Sequence, residues 1–127
     1  MKNAPKQVLI CVTRQKACEK LIKAGVALAQ ERGEAVTVVH VARPGENLLG
    51  NPMEGEALEY LFTIAKKYDV PMQMLRSDKV AKTLTQYARE NHVDCMVIGS
   101  AGDPRSLVQE IQREIPGMEF HMESYSE

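Results

Sequence analysis

Two glycines bracket a short segment, Gly99-Ser100-Ala101-Gly102, directly after an apolar run. Glycine has no Cβ, so a backbone that carries it can approach a ligand closely. Backbone amides presented in that way suit the oxygens of a phosphate. Arg105 and Ser106 follow within a few residues, in the first turn of a helix that can open with Pro104. The free amides and partial positive charge of a helix start, with Arg105 beside them, make a candidate anion site. Plainer readings stand next to these: a strand-to-helix turn for the glycines and a solvated side chain for Arg105. A second set, Val12, Thr13, Arg14 and Gln15, ends the first apolar run. Its polar side chains can bond a base, a ribose or a phosphate, or simply cap the helix that follows. His40 and Val41 end the next apolar run, where a lone histidine is more often packed than functional.

Other chemistries lack their parts. His40, His92 and His121 fall on different elements without ligand spacing, so no metal site is expected from them. Cys11, Cys18 and Cys95 are odd in number and form no C-x-x-C pair, which argues against a disulfide framework or a thioredoxin-like site. Each sits among apolar residues and reads as a buried small hydrophobe. No serine–histidine–acid or cysteine–histidine set falls at a common strand end, so no enzyme activity and no required cofactor are expected. Thr13 and His40 can approach one another, but no carboxylate accompanies them.

These residues need elements to position them. Val8 to Val12 is a continuous apolar run that reads as a strand buried on both faces. A helix is predicted from about Lys16 to Arg32 on Cys18, Leu21, Ile22, Gly25, Leu28 and Ala29, capped by Gly33. Ala35 to Val41 is a valine-rich strand. Arg43 to Gly55, punctuated by Pro44-Gly45 and Gly50-Asn51-Pro52, reads as a mobile surface loop. A second helix is predicted from Glu54 to Tyr68 with Leu58, Leu61, Phe62 and Ala65 inward. A short strand, Pro71 to Leu75, leads to a third helix capped by Ser77 or Asp78 and running to Asn91. Asp94 to Ile98 is a buried strand, Pro104 to Glu114 a helix, and Met118 to Met122 a last strand. Strict alternation of strand and helix predicts a mainly parallel sheet with helices on both faces. Ligands of such sheets bind beyond the strand carboxyl ends, where the winding reverses.

With 127 residues, 44% hydrophobic and 26% charged, the chain reads as one globular domain, residues 1–127, able to bury its own core. A formal net charge of −1 gives no field for general nucleic-acid binding. Apolar runs fall short of the roughly 20 residues a membrane span needs, and no signal peptide is evident, so a cytoplasmic location is expected. Thr13 to Cys18 holds no glycine, which excludes a dinucleotide fingerprint, and no P-loop occurs. A phospho-receiver would need paired acids where Thr13 and Arg14 stand, since a bound cation needs carboxylates.

Three segments resemble the universal stress protein family: Val8 to Thr13 with Val38-Val39-His40-Val41, Leu84 to Asn91, and His92 to Gly102 with its aspartate, buried strand and G-[ST]-x-G. The start and the segment Pro116 to Met122 are most similar to the universal-stress-like domain of bacterial potassium-sensor histidine kinases. The resemblance implies a five-stranded parallel sheet of order 3-2-1-4-5 and a regulatory module. It also implies an adenine-nucleotide crevice (ATP, AMP or cyclic di-AMP) lined by Val12, Thr13, Arg14, Val41, Gly99, Ser100, Gly102, Arg105 and Ser106. Two departures from the ATP-binding pattern are present. Thr13 replaces the family's aspartate, and the second G-[ST] is absent, since the count from Gly102 reaches Gln112-Arg113. The alternative is an interaction module whose crevice is degenerate and empty. Met118, Glu119, Phe120, His121 and Met122 alternate in the manner of an edge strand. Pairing of that strand with a twofold mate is expected, giving a homodimer.

Overall fold

A computed structural model of the chain describes residues 6–13, 15–99 and 105–123. Strands β1 (Gln7–Cys11), β2 (Ala35–Ala42), β3 (Met72–Arg76), β4 (Val93–Gly99) and β5 (Glu119–Glu123) alternate with helices α1 (Gln15–Arg32), α2 (Glu54–Lys67), α3 (Val80–Glu90) and α4 (Arg105–Glu114). The sheet has the order β3-β2-β1-β4-β5, and every pairing in it is parallel. This is a single α/β domain of the predicted topology. The central strands are apolar on both sides because both faces are covered. Val8, Ile10, Val12, Val38, Cys95 and Val97 pack with α1 and α2. Leu9, Cys11, Val39, Met96 and Ile98 pack with α3 and α4. All three cysteines are buried, and burial pushes the Cys11 and Cys18 thiols up to about 12.

Two glycines have definite work. Gly33 takes φ +65° just past α1, the left-handed conformation that ends helices. Gly25 lies on the inner face of α1, where an added Cβ would overlap the side chain of Ile10. The absence of a side chain there lets α1 seat directly on β1.

Three expectations are corrected. Leu58 and Phe62 face outward, 40% and 60% exposed, while α2 buries Ala57, Leu61, Ile64 and Ala65. The apolar residues Leu58, Leu61, Phe62 and Ala65 span a wider arc than the sheet can cover, and Ala57 and Ile64 settle which side faces in. Second, residues 43–55 are not wholly a surface loop. Leu48 and Leu49 are buried in a single 3₁₀ turn, Leu48–Gly50. Third, neither Ser77 nor Asp78 is the residue at the start of α3. Lys79 holds that position with no side-chain cap, and the Ser77 hydroxyl accepts from the Lys79 amide at 3.0 Å. Among the described residues, no helix is long and apolar enough to cross a membrane.

Candidate functional site

β1 lies between β2 and β4, and the chain winds away from it in both directions. α1 and α2 take one face, whereas α3 and α4 take the other. The winding reverses between β1 and β4, so the carboxyl ends of these strands flank the crevice that ligands of such sheets use. The register sets Cys11 beside Ile98, which places Thr13 and Gly99 at neighbouring strand ends, as expected.

A cleft of about 810 Å³ opens at these ends. It is lined by Thr13 after β1, by His40 and Val41 of β2, and by Ser106 of α4. Three separate elements thus converge on one space, each through residues singled out in the sequence. Val12 is buried beneath, 1% exposed, and half-buried Gly99 closes β4. Arg105 is the first residue of α4. Arg14, Ser100 and Gly102 lie outside the described residues. A second depression, about 520 Å³, lies between α3 and α4 and shares Ala81, Lys82 and Glu110 with the cleft.

Sequence reading missed part of the lining. Arg43, Glu46 and Asn47 come from the loop after β2, and Asp78, Lys79 and Lys82 from the start of α3. With Glu110, these give three basic and three acidic side chains, so the cleft has mixed charge rather than a cationic field. Their only signal in the sequence was position: each lies within a few residues of a strand carboxyl end or a helix start.

His40 locks one wall. Its Nδ1 lies 2.8 Å from the Val12 carbonyl, and its Nε2 accepts from the Leu49 amide at 3.1 Å. An accepting Nε2 puts the proton on Nδ1, so the ring is the neutral tautomer and donates to Val12. Burial holds the His40 pKa below its ordinary value; the Val12 bond opposes this, and Arg76 adds to it. Leu49 takes φ +54°, a left-handed conformation unusual for a branched residue. The bond to His40 and the burial of its side chain hold it there.

Curated protein sequences give no significant match. Solved structures give many. A universal stress protein from Archaeoglobus fulgidus superimposes with a TM-score of 0.62 at 17% identity, over 92% of each chain. A universal stress protein in complex with cAMP gives 0.63 at 14% identity, over 98% of this chain and all (100%) of that one. A universal stress protein from Archaeoglobus fulgidus in complex with dAMP gives 0.59 at 18% identity, over 99% of this chain and 100% of that one. At these identities the likeness speaks for the fold. The model of the universal stress protein family matches residues 5–111, the greater part of the sequence, and the chain therefore belongs to the universal stress protein family.

Proposed function

We propose that this protein is a non-catalytic regulatory module that binds an adenine nucleotide in the cleft at the strand carboxyl ends. The observation that carries the reading is the convergence of Thr13, Val41 and Ser106 on one 810 Å³ space beside the switch point. That volume falls in the range of small-molecule sites. Structural neighbours in complex with cAMP and dAMP support this ligand class. Val12, Thr13, Arg14 and Val41 are assigned to the base and ribose side. Gly99, Ser100, Gly102, Arg105 and Ser106 are assigned to the phosphates. His40, the cleft's imidazole, has both ring nitrogens bonded to backbone, which supports a structural rather than a catalytic role. The module is taken to occupy residues 1–127, to work in the cytoplasm, and to share its ancestry with the potassium-sensor kinase domains.

Among the described residues β5 pairs only with β4 and so forms an edge of the sheet. An antiparallel twofold pairing centred on Phe120 would cover that edge. It would set Glu119 opposite the mate's histidine, residue 121, and Met118 opposite the mate's methionine, residue 122.

A second reading, an interaction module with an empty crevice, is favoured by Glu46, Asp78 and Glu110 in the lining. They would repel phosphate, and no second G-[ST] follows Gly102. Thermal-shift measurements with AMP, ATP and cyclic di-AMP separate the two. Binding raises the melting temperature by mass action. Arg105→Ala should then weaken binding by about 1.5–3 kcal/mol, as expected for a charged hydrogen bond. No shift with any of the three nucleotides favours the empty crevice.

A further inference from the structure

We propose that Cys95, Glu119 and His121 form a binding site for a zinc-type divalent ion on the β4–β5 edge of the sheet. β4 and β5 pair with Cys95 beside Glu119 and Val97 beside His121. Paired residues of neighbouring strands project to the same face, as do residues two apart along one strand. The three side chains therefore share a face, the one that packs against α1. One donor atom from each lies within 4.8 Å of the other two. His121 Nε2 and Glu119 Oε2 are 2.8 Å apart. A tetrahedral zinc ion with bonds of about 2.0–2.3 Å sets its donors roughly 3.3–3.6 Å from each other. Each donor thus needs to move by only about 1 Å. The ion would take the place of the His121–Glu119 hydrogen bond.

The surroundings suit such a site. Arg32 Nη1 donates to the other oxygen of Glu119, Oε1, at 3.0 Å, and Arg32 Nη2 donates to Asp94 Oδ2 at 3.1 Å. One carboxylate oxygen is therefore held while Oε2 faces the cluster, the outer-shell arrangement that orients ligands in metal sites. A thiolate, a carboxylate and a neutral imidazole balance a charge of about +2 and match zinc or cobalt rather than magnesium or calcium. The thiol is buried, whereas the Glu119 and His121 side chains are 46% and 43% exposed. An ion would enter past these two, and its fourth position would stay open to solvent. The histidines carry no ligand spacing in sequence. The site is made by register between strands that are 24 residues apart at the paired positions Cys95 and Glu119.

Cobalt(II) titration of the full chain, followed by zinc competition, tests the site without reference to the nucleotide cleft. The expected result is a single saturable equivalent with a near-ultraviolet thiolate-to-cobalt charge-transfer band that zinc abolishes. The band should vanish in Cys95→Ser and persist in Cys11→Ser and Cys18→Ser. His121→Ala and Glu119→Gln change half-exposed side chains and should retain the fold, and each should lower affinity on the order of tenfold or more. A cobalt spectrum without the thiolate band, a band that survives in Cys95→Ser, or unchanged affinity in His121→Ala would each overturn the proposal.

Discussion

Replacing His40 with alanine tests how the crevice wall is held. The substitution strands two backbone groups, the Val12 carbonyl and the Leu49 amide, on residues that are 1% and 2% exposed. Leaving a buried polar group without its partner costs about 1–3 kcal/mol. Two such groups give about 2–6 kcal/mol, and the packing lost with the ring adds to that. This is a large share of the roughly 5–15 kcal/mol that holds a domain folded. The same residue predicts a pH dependence. Burial holds the folded-state pKa of His40 down, so the folded protein keeps the ring neutral while the unfolded chain takes up a proton as pH falls through about 6.5. The stability contributed by neutral His40 is fully present above that pH. Below it, stability falls by up to about 1.4 kcal/mol per pH unit until the folded pKa is reached. Urea denaturation followed by circular dichroism, across a pH series, measures both effects. A loss under about 1 kcal/mol in His40→Ala would refute the locking role assigned to this ring. Identical pH slopes in the wild type and the variant would refute the linkage.

Further outcomes follow from the packing. Gly25→Ala should destabilise by about 1–3 kcal/mol through overlap with Ile10, despite the roughly 1 kcal/mol that alanine adds to a helix interior; greater stability on denaturation would show that α1 does not press on β1 there. Leu61→Ala should cost about 2–5 kcal/mol and Phe62→Ala under about 1 kcal/mol, because Leu61 is fully buried and Phe62 is 60% exposed; reversed values would restore the inward reading of Phe62. With their pKa raised to about 12, Cys11 and Cys18 should resist a thiol reagent at neutral pH in the native state and react fully in denaturant, which mass spectrometry of labelled peptides can follow; rapid native labelling of either would contradict its burial. Sedimentation should show a dimer that His121→Pro shifts toward monomer if the residue 121 amide faces the mate; a wild-type monomer at high concentration would end the edge-pairing proposal.

The topology was open to sequence reading because each strand and helix carries its own periodicity. The two-sided runs at Val8–Val12 and Asp94–Ile98 could only be central strands, and alternation with helices then dictates parallel pairing. The place of the crevice followed from topology, and Thr13, Val41 and Ser106, named from the strand ends, the helix start and the family resemblance, do line the cleft there. What failed was the choice among equivalent apolar residues. Leu58, Leu61, Phe62 and Ala65 are all plausible inner positions on a helix, and only the neighbours of α2 decide that Leu61 and Ala65 win.

Periodicity and strict alternation thus determined the fold class and the parallel pairing, because these depend on local pattern and chirality, whereas the order of the strands, and with it the strand ends around which a site forms, came from the resemblance to the family. Tertiary structure alone decided that the loop after β2 folds back onto His40, since Leu49 meets that ring only when the turn at Leu48–Gly50 closes. It also decided that Cys95, Glu119 and His121 lie together. Their meeting depends on the register of β4 against β5, and register is settled by packing across the whole sheet, not by the residues it brings into contact.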